Sequence, residues 1–368
     1  MAKKRGSCDF ILLLIVLMLL SIGLIMVFSA SSVSDLAYQN DAYYTFKRQL
    51  SWSGIGLLAM VFMMNFDYHR LKKFSKPILV LSIILLVIVL FMPAKHNANR
   101  WIGLGSTSLG FQPSEIAKFS VILYMAASIS DKKDKIRSFV YGVLPYALIG
   151  GLIFVLILIE PNLSVAGTVL IVVFLLLITA GSKKSHLTLL ALLGIAAAAV
   201  FTLSEDYRYK RLTAFLDPWK DPLGDGYQAI QSLLALGSGG LMGAGLGKSR
   251  QKFFYIPEAQ NDFIFSIIGE ELGFFGTTGV IFLFILLTWR GVKTALNAPD
   301  MFGSLLAAGI TSLIAVQTII NIAVATSSMP VTGIPLPFIS YGGSSLTFTL
   351  AAVGVLLNIS RYSKVDRD

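Results

Sequence analysis

The chain has 368 residues, of which 55% are hydrophobic and only 14% charged, with a formal net charge of +10. A soluble domain carries roughly a quarter charged residues, so composition excludes an ordinary soluble protein. The basic excess sits in short clusters beside apolar runs, the pattern of membrane topology and contact with anionic lipid, and nucleic acid is excluded as a partner.

Runs over 12–26, 78–92, 143–159, 165–178, 187–203, 280–287 and 314–325 carry almost no charge. A helix needs roughly 20 apolar residues to cross about 30 Å of hydrocarbon. The runs are continuous and do not alternate, so the spanning form is helical. The predicted spans are 10–31, 49–66, 77–93, 113–130, 140–159, 163–181, 186–203, 263–288, 304–325 and 344–360. The chain therefore reads as an all-α, polytopic integral membrane protein with about ten transmembrane helices. It forms a single membrane domain over 1–368, with a large extracytoplasmic loop over 204–262 between helices 7 and 8. The first run is too long for a signal-peptide core and lacks a cleavage site, so it reads as a retained anchor.

Charge sets the orientation. Lys3, Lys4 and Arg5 precede the first span, and Arg70, Lys72, Lys73 and Lys76 follow the second. Lys132, Lys133, Lys135 and Arg137 follow the fourth, and Lys183 and Lys184 the sixth. Arg290 and Lys293 follow the eighth, and Arg361, Lys364 and Arg367 the tenth. The opposite loops carry few basic residues, among them Lys47, Arg48, Lys95 and Arg100. Basic residues collect on the cytoplasmic side, which places both termini in the cytoplasm.

Several chemistries drop out. Cys8 is the sole cysteine, so no intramolecular disulfide forms. His69, His96 and His186 assemble neither a metal cluster nor a nucleophile triad. Gly243-Ala-Gly-Leu-Gly-Lys-Ser249 looks like a phosphate loop, but Met242 stands where its first glycine is required. These glycines suit turns or close helix packing instead.

Four outer segments hold the unusual sequence: Asn99-Arg-Trp-Ile-Gly-Leu-Gly105 with Phe111-Gln-Pro-Ser-Glu-Ile-Ala-Lys118; Glu160-Pro-Asn-Leu163; the large loop, ending in Pro257-Glu-Ala-Gln-Asn-Asp262; and the Pro/Gly-rich stretch 330–345. Glu115 and Lys118 are three apart and share a helix face. Both must face the bundle interior, either as a structural ion pair or with Lys118 also tuning a catalytic carboxylate or binding phosphate. Asp262 opens an apolar helix. It is either an N-cap or a carboxylate at a polar–apolar boundary, able to take a hydroxyl proton. Glu258, four residues earlier, is a neighbouring loop acid with a weaker claim. Glu270 and Glu271 read as buried, paired and structural. Arg100 beside Trp101 suits a phosphorylated amphiphile and equally an interfacial anchor. Pro335 and Pro337 forbid regular helix, so the last loop must be buried in protein or line a polar cavity.

With these motifs the sequence resembles the SEDS family (shape, elongation, division and sporulation), whose members include FtsW, RodA and SpoVE. The resemblance spans nearly the whole chain. It rests on the first outer segment, Asp217-Pro-Trp219, Asp221-Pro-Leu-Gly-Asp-Gly-Tyr-Gln228, the 231–240 and 257–273 stretches and Gly333 to Ser345, and it leans toward the FtsW/SpoVE branch. Two departures stand out: Gln260-Asn261 before the loop aspartate, and Glu160-Pro-Asn-Leu-Ser164 where the family often has Gln-Pro-Asp-Leu-Gly. The resemblance implies a peptidoglycan glycosyltransferase using lipid II, acting by one inverting displacement. Asp262 matches the catalytic aspartate and would serve as general base. Arg100, Trp101, Glu115, Lys118, Ser340 and Ser344 are the substrate-binding candidates. Arg100, Lys118 or a divalent cation (Mg or Mn) would stabilise the leaving pyrophosphate; no other cofactor is implied. Implied partners are the nascent glycan strand, a class B penicillin-binding protein and divisome proteins, in the bacterial cytoplasmic membrane. A lipid II flippase and a non-enzymatic division scaffold are the rival readings.

Overall fold

The computed structural model describes residues 6–92, 100–103, 110–132, 135–203 and 213–363. Lys3, Lys4, Arg5, Lys95, His96, Asn99, Lys133, Lys364, Arg367, residues 104–109 and the start of the large loop at 204–212 lie outside the described residues.

Ten helices follow the ten predicted spans. They are α1 (Phe10–Gln39), α2 (Tyr44–Asn65), α3 (Tyr68–Leu90), α4 (Pro113–Asp131), α5 (Leu144–Ile159, entered through a π-turn at Phe139–Val143), α6 (Leu163–Thr179) and α7 (Lys184–Leu203). An extra helix, α8 (Tyr227–Ser238), lies inside the large loop. The last three are α9 (Ile264–Leu296), α10 (Met301–Ala325) and α11 (Gly343–Ser360). Two short strands, β1 (Ile102–Gly103) and β2 (Gly110–Phe111), pair antiparallel before α4. Among the described residues, six helices are long and apolar enough to cross a membrane by length and composition alone. The others are shorter or carry charge, as α2 does with Lys47 and Arg48 and α4 with Glu115 and Lys118.

Local chemistry fixes the helix ends. Asp9 caps α1, accepting from Leu12 N–H at 3.0 Å, and pairs with Arg290 of α9 at 2.6 Å. α1 runs past residue 31 to Gln39 and stops at Asn40, which turns left-handed (φ 53°). In that extension Asp35 is buried and accepts from both the backbone N–H and the hydroxyl of Thr45, joining α1 to α2. α2 and α11 pack through small residues: a β-carbon on Gly354 would lie 2.4 Å from the Met60 carbonyl oxygen. Such close backbone approach replaces the hydrophobic drive that lipid removes.

α9 is two helices in one. Gly273 has φ 67° and ψ −162°, which breaks the ladder. The freed backbone groups find partners in the large loop. Phe274 N–H donates to Gly240 O at 2.9 Å, Ala244 N–H to Glu270 O at 2.9 Å, and Gly245 N–H to Glu271 O at 3.0 Å. Backbone satisfaction is obligatory away from water, so break and loop are one device. Gly243 (φ 79°) fits only as glycine, since a β-carbon there would lie 2.2 Å from Glu271 O. The glycine-rich stretch is thus a set of turns seated on α9. Its side chains finish the joint: Glu271 is fully buried and accepts from Ser29 at 2.7 Å and from Lys252 Nζ at 3.3 Å, and Glu270 accepts from Arg250 N–H at 2.7 Å.

Candidate functional site

Asp262 stands two residues before α9, at the end of the large loop. It is not the N-cap: Phe263 holds that position and no side chain caps the helix. Its carboxylate makes no hydrogen bond with any described residue. The backbone around it is fixed. Asn321, buried on α10, donates to Asp262 O at 2.9 Å and to Ile334 O at 2.8 Å, stapling the loop acid to the last loop. Tyr341 N–H donates to Gln260 O at 2.9 Å. Gly333 (φ 72°) brings bare backbone to the acid, with a β-carbon position 3.4 Å from Asp262 Oδ2.

The turn between α5 and α6 closes another side. Arg100 Nε donates to Glu160 O at 3.0 Å, and its terminal nitrogen bonds to Pro161 O. Ser164, in the first turn of α6, donates to Thr332 O beside Gly333. Arg100 acts electrostatically on both Glu160 and Asp262. Glu160 is 0% exposed, and neither of its carboxyl oxygens has a hydrogen-bond partner among the described residues. Burial pushes it up to about 8 against a weaker opposing pull from Arg100. Asp262 is pushed up to about 6, by burial first and by the Glu258 carboxylate second, with Arg100 pulling the other way. Such an acid is ionised at neutral pH and is a stronger base than an ordinary aspartate.

The other sequence candidates fall in different places. Glu258 is exposed, accepts from Asn261 Nδ2 at 2.8 Å and sits at φ 48°. Trp101 is exposed beside Gly110 of β2. Lys118 and Glu115 form a buried pair at 2.8 Å, and the second Glu115 oxygen has no partner among the described residues. The charges that shift Asp262 are Glu258 and Arg100, and Lys118 is not among them. Ser340 is buried with its hydroxyl already engaged by Leu336 N–H at 2.8 Å, while its carbonyl accepts from Gln49 at 3.1 Å. Ser344 is buried in the first turn of α11. Sequence reasoning assigned no role to Glu160, Ser164, Asn321 or Gly333. Asn321 did carry a signal, as a carboxamide inside an apolar run.

Among the described residues no three acidic, histidine or cysteine side chains converge on one point. A magnesium-type ion takes only one or two protein carboxylates when phosphate oxygens and waters complete its shell. Asp262 with Glu258 would therefore hold such an ion together with a pyrophosphate substrate and not as a closed all-protein site.

Fold and site together define a polytopic helical membrane protein with a titratable acid and a cation where a long loop meets the bundle. Residues 10–365 match the model of the cell cycle protein family that groups FtsW, RodA and SpoVE, and the chain belongs to that family. It is 49% identical to stage V sporulation protein E of Bacillus subtilis (strain 168), over 99% of this chain and 100% of that protein. A probable peptidoglycan glycosyltransferase FtsW of Geobacter sp. (strain M18) is 42% identical, over 97% of this chain and 98% of that one. A chain solved in a study of how a peptidoglycan synthase complex coordinates polymerization and crosslinking superposes with a TM-score of 0.79 at 32% identity, covering 98% of this chain and 99% of that one. The rod shape determining protein RodA of Thermus thermophilus gives 0.72 at 29% identity, covering 97% and 98% respectively.

Proposed function

We propose that this chain is a peptidoglycan glycosyltransferase that polymerises lipid II into glycan strands at the outer face of the cytoplasmic membrane, in division or sporulation. One observation carries the chemistry: a part-buried Asp262 carboxylate with raised basicity and no hydrogen-bond partner among the described residues, sharing its field with Arg100. In the reaction a sugar hydroxyl oxygen bonds to the anomeric carbon. The bond from that carbon to the lipid pyrophosphate breaks, and its electron pair leaves with the phosphate. Asp262 takes the hydroxyl proton. Arg100, held by the Glu160 and Pro161 carbonyls, faces the charge that develops on the leaving group. Gly333 leaves room for the sugar to approach the acid.

The basic clusters support an orientation with both termini in the cytoplasm and Asp262 outside. The family and the synthase complex support a class B penicillin-binding protein as partner, to crosslink the strand that this chain makes. The test is reconstitution of the purified protein with lipid II in the outer leaflet. Polymer is the expected product. Movement of lipid II between leaflets without polymer would assign the chain as a flippase instead.

A further inference from the structure

One cavity stands apart from the acid. It has a volume of about 280 Å³ and lies between the start of α8 and the 327–331 segment. Phe215, Asp225, Tyr227 and Gln228 line one side, and Ser327 and Val331 the other. Neither the mechanism nor the fold uses these side chains. Asp225, Tyr227 and Gln228 make no side-chain hydrogen bond or ion pair with any described residue, although a turn built by Asp221 holds them in place. Asp221 accepts from Gly224 N–H and Asp225 N–H, both at 3.1 Å. α8 is clamped beneath: Ser232 Oγ lies 2.6 Å from Ser266 Oγ of α9 and donates to Ala325 O of α10 at 2.6 Å. A rigid platform with unspent polar groups is what a binding site requires.

The cavity lies within a short chain reach of the acid. Val331 is two residues from Gly333, a chain reach of at most about 7 Å, and the β-carbon position of Gly333 is 3.4 Å from Asp262 Oδ2. A short saccharide can bridge that gap. Among the described residues the lining contains no lysine or arginine and includes the Asp225 carboxylate, which disfavours pyrophosphate, whereas Arg100 sits on the Glu160 and Pro161 carbonyls and would attract it. Its volume is near the lower bound of ligand sites, about 300 Å³, which suits a sugar ring and excludes a polyprenyl tail. Two aromatic rings, a carboxylate, a carboxamide and a hydroxyl suit the faces, hydroxyls and acetamide of an uncharged amino sugar.

We propose that this cavity is a saccharide subsite, which holds a sugar of the growing strand next to the one that reacts at Asp262. The proposal rests on the glycosyltransferase reading and adds where the strand is gripped. The probe is a soluble tetrasaccharide of alternating N-acetylglucosamine and N-acetylmuramic acid. Its binding to the full-length Asp262→Asn protein in detergent is measured by titration, so no turnover is needed. Tyr227→Ala and Gln228→Ala should each weaken binding about tenfold, or ~1.4 kcal/mol. Tyr227→Phe, which keeps the ring, should stay within about twofold, under ~0.5 kcal/mol. Inorganic pyrophosphate should not displace the probe. With Asp262 intact, Tyr227→Ala should also give shorter strands. Unchanged affinity in Tyr227→Ala and Gln228→Ala, with melting temperatures like the parent, would overturn the subsite even if polymerisation is normal. So would displacement by the free stem peptide or by pyrophosphate. If the parent protein makes no polymer yet binds the tetrasaccharide through Tyr227, the enzymatic reading fails and the subsite stands.

Discussion

Gly333 meets Asp262 with bare backbone: a β-carbon would lie 3.4 Å from Oδ2, and the residue sits at φ 72°. Gly333→Ala therefore does two things. Left-handed backbone costs a non-glycine residue about 1–2 kcal/mol, and the methyl intrudes where the sugar approaches. We expect a modest fall in melting temperature. A misplaced reacting group can lose about 100-fold in rate, and kcat for lipid II polymerisation should fall toward that figure. Steady-state rates beside thermal melts check it.

The acid limb of the pH–rate profile should belong to Asp262. A general base works ionised, so kcat/KM should rise with pH through about 6 and level off above it. Arg100 lowers the acid and Glu258 raises it. Arg100→Gln should thus move the limb to higher pH, and Glu258→Gln to lower pH. Arg100→Gln should also reduce the plateau, about 100-fold or more for a donor facing developing charge. Profiles of the three proteins give the shifts directly.

Glu160 should make stability depend on pH. Burial raises it from 4.5 to about 8 in the folded protein. The folded state then binds more protons than the unfolded state between those values. Its contribution is complete below about 4.5 and is lost as pH rises through about 8. Glu160→Gln removes the dependence. Its melting temperature should match wild type near pH 5 and exceed it near pH 8.5. Melts across pH test this.

Much of the scaffold was legible in the sequence. Seven nearly uncharged runs and three less apolar stretches together announced ten helices, and Asp262 stood out as a charge at the edge of one. The end of α1 was not legible: hydropathy stops near residue 31, but hydrogen bonding continues to Gln39, because Asp35 finds its partner in Thr45. The break at Gly273 was hidden for a similar reason. A lone glycine in an apolar run is tolerated in intact helices, and what breaks this one is a loop about 30 residues earlier that takes over its backbone groups. Glu160 read as an ambiguous turn, since the Arg100 that makes it a site residue lies 60 positions away.

The joint between loop and broken helix is the stability hinge of the fold. Lys252 Nζ lies 3.3 Å from Glu271 Oε1, both buried. Removing one member of a buried pair costs about 3–5 kcal/mol, so Lys252→Ala should lower the melting temperature markedly. Glu271→Gln keeps hydrogen-bonding capacity for Ser29 and should cost less. Thermal melts of the two rank them.

The most direct measurement is polymerisation of lipid II by purified Asp262→Asn protein, confirmed folded by its melting temperature. The variant keeps size and shape but cannot take a proton. No glycan strands should appear at any pH between 5 and 9. Strands formed at the wild-type rate would contradict the assignment of Asp262 as the base.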